Sequence, residues 1–130
     1  MPRAGFDNGS TISDEECKSV LDINLTGAFI GCRAVGPHFL ECRKGKVTNI
    51  SSFAARRGRP TLLASSTAKT GLVHFTRTLA LEWATYGVTV NCIDSGSFPD
   101  PEVGSKVILV RSRDAAQRDV PLGRVGERRD

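Results

Sequence analysis

Apolar residues along the first third of the chain recur with the spacing of a helix. Ser13 followed by Glu16 forms the S-x-x-E pattern of a capping box, which predicts that a helix begins near Asp14. Small and apolar residues then follow at steps of three and four: Val20, Ile23, Gly27, Ile30, Ala34 and Val35. We predict a helix from about Asp14 to about Cys42, bent at Pro37 because proline removes a backbone donor.

Two short stretches rich in β-branched residues, "GKVTNIS" and "GVTVNCI", flank a second helical pattern. The second pattern is an amphipathic stripe formed by Ala68, Leu72, Phe75, Leu79 and Trp83. It predicts a helix over 67–86 that ends at Gly87, because glycine tolerates the left-handed backbone that stops helices. The order helix, strand, helix, strand is typical of right-handed crossovers in a parallel sheet. The segments "SSFAARRGRP" and "DSGSFPDP", which follow the strands, are therefore expected to hold the functional site.

The composition indicates a single small domain outside the membrane. The chain has 130 residues, and no apolar run approaches the roughly 20 residues that cross a bilayer. Its first residues lack the apolar core of a signal peptide, so we expect a cytoplasmic protein with no membrane contact. The four cysteines lack a C-x-x-C spacing and the two histidines are isolated, so we predict no metal site.

The net charge of +4 reflects the basic clusters "RRGR" (56–59) and "RSR" (111–113), and a further arginine pair lies in "ERRD" (127–130), where two acidic residues balance it. Such clusters can bind phosphate or nucleic acid. Because no aromatic residues alternate with them and no helix collects them on one face, a solvated surface is favoured and no nucleic-acid partner is expected. The cluster in "FAARRGRP" also leaves open a substrate with a negatively charged group.

Several ordered motifs together resemble the central part of a short-chain dehydrogenase/reductase over about residues 4–127. They are "DINLTGAFIGCRAV", "GKVTNISS", "STAKTGLVHFTRTLALEWATYGVTVNCI" and "VPLGRVGE". The resemblance implies an α/β, partial Rossmann-like three-layer fold: a short parallel sheet of about three strands, counting "PRAGF", with long flanking helices. Residues 1–130 would form one truncated domain, of which about 97–130 would be an irregular substrate loop and tail. It also implies NAD or NADP as cofactor and a small carbonyl or alcohol as substrate.

Members of this family use a serine, a tyrosine and a lysine, the last two in a Y-x-x-x-K motif. If Lys69 matches the lysine, Ser65 occupies the tyrosine position, and Ser52, which matches the serine, precedes it by the usual 13 residues. Asn24 in "DINLTG" matches an asparagine thought to hold a water relay. Each residue has an alternative interpretation: Ser52 as a cap, Lys69 as a solvated side chain and Asn24 as a helix-kink residue.

The replacement at Ser65 predicts a loss of catalytic power. Reduction of a carbonyl by hydride needs a proton donor, and the pKa of tyrosine, about 10, can be pulled toward neutrality by a nearby ammonium group. An aliphatic hydroxyl is far less acidic, so Ser65 is predicted not to function as the acid. Tyr86 is no substitute, because it follows Lys69 by 17 residues, roughly 25 Å along a helix.

The resemblance assigns Gly5, Lys69, Gly96 and Phe98 to cofactor binding, with Gly5 in "PRAG" as a remnant of the family's "NNAG" motif. The Pro-Gly that follows the last strand in the family reads Ser95-Gly96 here. Residues 1–130 contain no Gly-rich turn of the kind that receives a pyrophosphate. This difference predicts that the chain alone binds a dinucleotide weakly or not at all.

Two kinds of function remain open on the sequence. The first is an NAD(P)-dependent oxidoreductase that is impaired or inactive in this form. The second is a non-catalytic interaction module, or a gene-fragment product, in which the two long helices form a homo-oligomer. Phe29, Val73 and Ala80 are candidates for that interface, or alternatively part of the local core.

Overall fold

The computed structural model describes Gly9, residues 11–96, Phe98 and residues 120–126. The chain forms two compact units, Gly5–Asp94 and a second that combines Met1–Ala4 with Ser95–Asp130. The helices and strands described below lie in the first unit, apart from Ser95 at the end of the last strand. No helix in the described ranges is both long enough and apolar enough to cross a membrane.

The first helical stretch consists of helix α1 (Asp14–Leu21), a π-helical segment (Asp22–Thr26) and helix α2 (Gly27–Glu41). The capping box is formed: the Ser13 hydroxyl accepts a hydrogen bond from the Glu16 N–H at 3.1 Å, and the Glu16 carboxylate accepts one from the Ser13 N–H at 3.2 Å. The predicted start of the helix is therefore confirmed. The π-helical segment was not predicted. Pro37 lies inside α2. The departure from α-helical hydrogen bonding is the π-helical segment around Asn24.

Two strands and the helix between them complete the first unit. Strand β1 (Gly45–Ser52) and strand β2 (Val88–Ser95) are hydrogen-bonded neighbours in a short parallel sheet, and helix α3 (Leu63–Ala84) connects them. The α/β fold class is thereby confirmed. The third strand predicted from "PRAGF" lies outside the described residues, so the described sheet has two strands.

Helices α2 and α3 pack on one face of this sheet and form the core. The central cluster consists of Cys32, Leu79, Trp83, Val88 and Val90. The predicted stripe of α3 lies on the inner side, since Ala68, Leu72, Leu79 and Trp83 are buried and Phe75 packs against the cluster. Along the strands, residues that point to the other face are exposed, and Ile50 and Ile93 are each 54% exposed.

Helix α3 begins four residues earlier than predicted, at Leu63 rather than Thr67, and ends at Ala84. The earlier start places Ser65 and Lys69 on the same continuous helix. The predicted stop at Gly87 is confirmed, because this residue has a φ of +72° and a Cβ there would lie 2.7 Å from the carbonyl oxygen of Arg43. Glycine is required where both the backbone angle and the space exclude a side chain.

Candidate active site

Two hydrogen bonds connect helix α3 to the carboxyl end of β1, and each of the two elements donates one of them. The Lys69 Nζ donates to the carbonyl oxygen of Ile50 at 2.8 Å. The Ser51 hydroxyl, which is almost fully buried, donates to the carbonyl oxygen of Lys69 at 3.2 Å. These bonds fix the lysine beside the end of a parallel strand, the edge where open α/β sheets bind their ligands.

Ser52 is the last residue of β1, and its side chain caps the short 3₁₀ helix Phe53–Ala55. The Ser52 hydroxyl oxygen accepts a hydrogen bond from the Ala54 N–H at 3.2 Å. The cap that the sequence left as an alternative is therefore present. It does not exclude the catalytic role, because a hydroxyl that accepts one hydrogen bond still has a proton to donate to a substrate carbonyl.

The 3₁₀ helix is also attached to α3, one residue beyond Lys69. The Thr70 hydroxyl lies 3.2 Å from the carbonyl oxygen of Ala55 and 2.8 Å from that of Ser66. Because Ser52 caps this turn and Lys69 adjoins Thr70, the structure places the two matched residues on adjoining elements at one edge of the sheet.

Asn24 lies at the centre of the π-helical segment, which packs against α3. Its side-chain amide donates to the carbonyl oxygen of Val20 at 3.0 Å, so the helix-irregularity interpretation is also observed. Close packing brings this segment near the lysine, since a Cβ at Gly71 would lie 3.0 Å from a methyl carbon of Leu25. The side-chain oxygen of Asn24 remains an acceptor for a water molecule.

Ser65 lies on α3 one turn before Lys69, and this four-residue step directs both side chains to the same side of the helix. It is partly buried, and its hydroxyl makes no hydrogen bond to any residue that the structure describes. Tyr86 lies beyond the opposite end of α3, with its ring centroid 5.7 Å from the guanidinium carbon of Arg43. The structure therefore places no tyrosine of the described ranges beside Lys69.

Two of the other residues assigned to the cofactor by resemblance, Gly96 and Phe98, belong to the second unit. Gly96 is exposed, and a Cβ there would meet no atom within 4 Å, so its backbone is open to close approach. The Phe98 ring lies against Gly126 and is about half exposed. Gly5 lies outside the described residues, and the cofactor roles of all three remain predictions.

Sequence reasoning missed an ion pair at the same edge of the sheet. The Arg56 Nε lies 2.6 Å from a carboxylate oxygen of Asp94, which joins the segment after β1 to the end of β2. The available signal was that both charged residues lie at the carboxyl ends of neighbouring parallel strands, which meet at one edge.

The cysteines and histidines form no alternative centre in the described part of the chain. Burial raises the pKa of the Cys32 thiol, which keeps the thiol protonated and therefore a poor nucleophile. No group of three or more metal-ligating side chains occurs among the residues that the structure covers.

Comparison with known proteins identifies the family. The family model for short chain dehydrogenases matches residues 3–107. A 3β-hydroxysteroid dehydrogenase from Eggerthella lenta is 38% identical over 119 residues, which cover 91% of this chain and 46% of that protein. A 3-oxoacyl-[acyl-carrier-protein] reductase from Synechocystis is 42% identical over 82 residues, which cover 63% of this chain and 33% of the reductase.

The fold is also similar to that of solved dehydrogenase structures. The crystal structure of NAD+-bound xylitol dehydrogenase superposes with a TM-score of 0.86 and 26% identity, over 97% of this chain and 54% of that one. The chain thus spans about half the length of the proteins that it matches. By the family match and the identity to its relatives, this chain belongs to the short-chain dehydrogenase family.

Proposed function

We propose that this chain carries the substrate-side half of an NAD(P)(H)-dependent oxidoreductase site and that it is impaired or inactive on its own. One observation supports this most directly: Lys69 is fixed at the carboxyl end of β1, while the helix position one turn earlier holds Ser65. The carboxyl end of a parallel strand is where open α/β sheets bind ligands, and the position that the resemblance matches to the family's tyrosine holds an alcohol.

The remaining residues have distinct roles in the proposed hydride transfer between nicotinamide and a carbonyl or alcohol. Ser52 would donate a hydrogen bond to the substrate carbonyl oxygen. Lys69 would bind the nicotinamide ribose and supply positive charge, and Asn24 would hold a water molecule. With Ser65 no group acts as general acid, an omission that typically costs about 10²- to 10⁴-fold in rate.

The residues present fit one end of a dinucleotide. Lys69, fixed at the carboxyl end of β1, suits the ribose of the nicotinamide nucleotide, and the nicotinamide ring would deliver the hydride. The sequence offers no Gly-rich turn for the pyrophosphate, whose binding normally relies on backbone N–H groups at a helix N-terminus. We therefore expect weak binding of either NAD or NADP, and direct titration with NADH and NADPH tests this proposal.

The substrate we propose is a small carbonyl or alcohol compound. Two relatives support this class, since one is named as a hydroxysteroid dehydrogenase and the other as an oxoacyl reductase. We keep the cytoplasm as the proposed location.

A second candidate function is association through α2 and α3, favoured by an apolar hollow between these helices. The hollow has a volume of about 340 Å³, and its lining includes Phe29, Phe75, Leu79, Trp83 and the charged residues Arg33 and Glu82. A surface with an apolar floor and both signs of charge can complement itself across a two-fold axis. We propose that a second copy of this chain covers it.

Of the three interface candidates from the sequence, the structure favours Phe29. Its ring is 46% exposed and packs edge-to-face on Phe75, with the ring centroids 6.3 Å apart. Val73 is buried within the chain, which favours its alternative role in the local core. Ala80 is partly buried and packs against the core cluster, which favours its alternative role in the local core.

Phe29→Glu should convert the proposed dimer to a monomer. The substitution places a charge in the apolar contact and removes an aromatic anchor, and loss of such an anchor typically costs about 2 kcal/mol or more, roughly 30-fold in dissociation constant. Sedimentation velocity over a range of concentrations measures the change. Leu81→Glu is the control, because Leu81 is on α3 but is 79% exposed and does not line the hollow. A wild-type chain that is monomeric at all concentrations would contradict the proposal.

A further inference from the structure

The segment between β1 and α3 concentrates positive charge at the functional edge of the sheet. Residues 53–62 contain Arg56, Arg57 and Arg59 and no acidic residue. The sequence pattern alone favours a solvated surface for this basic cluster. The structure shows instead that two of its three side chains make specific contacts.

Arg56 and Arg59 are held in place by different partners. Arg56 bonds Asp94 through Nε, the guanidinium nitrogen nearest its stem, and its side chain remains 56% exposed while that of Asp94 is 20% exposed. The guanidinium carbon of Arg59 lies 5.3 Å from the ring centroid of Phe53, the geometry of a cation–π contact. Each contact anchors the stem of an arginine to an element of the fold.

The backbone of this loop is also held in an unusual conformation. Thr61 has a φ of +67°, and β-branched residues rarely adopt the left-handed region. Such a conformation persists where surrounding structure imposes it, and it occurs most often at ligand-binding and active sites. The guanidinium groups are thus presented by a loop with a defined shape.

The loop's charge is not balanced by its described neighbours. Asp94 is the one acidic residue that forms an ion pair with the loop in the described ranges, against three guanidinium groups. The side chain of Arg57 is exposed and makes no ion pair or hydrogen bond with any residue that the structure covers. The exposed guanidinium of Arg57 is therefore accessible to an anion from solution.

The cluster lies next to the residues matched to catalysis. Phe53 directly follows Ser52, and Ala55, one residue before Arg56, is bonded to Thr70 beside Lys69. A molecule that reaches Ser52 and Lys69 would therefore have the arginine loop along one side. Guanidinium groups bind carboxylates and phosphates through paired N–H donors, which fixes the orientation of the anion as well as its place.

We propose that the Arg56–Arg59 loop binds an anionic group, a carboxylate or a phosphate, of the small molecule that this site accepts. The proposal rests on the proposed function for its location at a substrate site. The anion site itself is built from residues of this chain alone. Arg57 supplies an exposed guanidinium that pairs with no described residue, and Arg56 adds its terminal nitrogens while Asp94 holds its stem.

The test is titration of the full chain with malonate and, separately, with inorganic phosphate, followed by the amide and arginine side-chain signals in NMR spectra. We expect saturable shifts at the loop, and the probe that binds more tightly identifies the anion. Arg57→Gln should weaken binding about tenfold, because a hydrogen bond to a charged group is lost. Arg77→Gln, which removes the same charge from an exposed position on α3, should leave it unchanged.

A second pair of variants tests whether removal of a negative charge beside the loop strengthens anion binding. Asp94→Asn keeps an acceptor for the Arg56 Nε but removes a negative charge near the anion, so binding should strengthen several-fold. Glu41→Gln makes the same change in net charge at the end of α2 and should have no such effect. Circular dichroism on each variant confirms that the fold is retained.

Two outcomes would overturn the proposal: no saturable loop shift with either probe, or equal effects of Arg57→Gln and Arg77→Gln. Equal effects would mean that the net positive charge of the chain attracts anions and that the loop forms no specific binding site. The experiment contains no dinucleotide, so its failure leaves the proposed oxidoreductase function standing. Failure to bind NADH would, in turn, leave the anion site standing.

Discussion

Ser65→Tyr should raise hydride-transfer rates by about 10²- to 10⁴-fold in a chimera that supplies the rest of a dehydrogenase. In this chimera the Eggerthella lenta relative would keep its own flanking sequence and receive residues 3–107 of this chain, the range that matches the family. The gain is expected because a phenol beside Lys69 can deliver a proton to the substrate, whereas an aliphatic alcohol cannot.

The same substitution in the isolated chain should produce no turnover of NADPH or NADH. The Gly-rich turn is still missing from residues 1–130, so the cofactor would not be held in place. Thr67→Tyr is the control in the chimera, because this exposed residue lies on a different side of α3 from Lys69. A chimera that is equally fast with serine or tyrosine at position 65 would show that another group supplies the proton.

Trp83→Ala should destabilise the chain by about 3–5 kcal/mol, the usual cost of removing a large aromatic side chain from a core. Trp83 is 8% exposed and lies in the cluster that joins α2, α3 and β2, with Val47 of β1 packed against it. A Cβ added to Gly36 would lie 3.0 Å from the Trp83 ring, so α2 approaches the indole directly and Gly36 has no side chain that could fill the cavity.

Chemical denaturation followed by circular dichroism measures the loss. Since domains of this size are stable by about 5–15 kcal/mol, the variant should unfold at a much lower denaturant concentration. Leu81→Ala is the matched control, because Leu81 is two residues away on the same helix but 79% exposed, and its removal should change stability little. Equal effects of the two substitutions would mean that the α2–α3 core does not hold the fold together.

The parts of the fold that sequence reasoning predicted depend on local pattern. The capping box at Ser13 and Glu16, the apolar stripe of α3 and the stop at Gly87 each follow from residues close together in the chain. Their energies are set mostly within one or two turns of helix, which is why spacing reveals them. The start of α3 at Leu63 differs from the prediction by four residues, because no side chain caps it and no local cap signal marks it in the sequence.

The features that were missed depend on contacts between distant segments. The π-helical segment at Asp22–Thr26 packs against α3, and no local pattern specified that packing. The Arg56–Asp94 pair joins residues 38 positions apart. The sequence also left Val73 open between an interface and the local core, and its burial, which depends on contacts with distant segments, favours the core.

The site was predicted by resemblance rather than by local pattern. The match of Lys69 and Ser52 to family positions predicted that they meet at one edge of the sheet, and the bonds at Ile50 and Ala55 place them on adjoining elements there. Their catalytic roles, and those of Asn24, Gly5, Gly96 and Phe98, remain proposals. The hydrogen bonds show which groups these side chains contact, and enzyme assays would measure their roles in the reaction.

The most direct test of the central claim is titration of the purified chain with NADH and NADPH, followed by nicotinamide fluorescence. We predict that the fluorescence change does not saturate up to millimolar cofactor, because the pyrophosphate would lack its Gly-rich turn. Saturable binding near micromolar concentrations would contradict it. That result would show that a dinucleotide site assembles from these residues, or across two copies of the chain, without that turn.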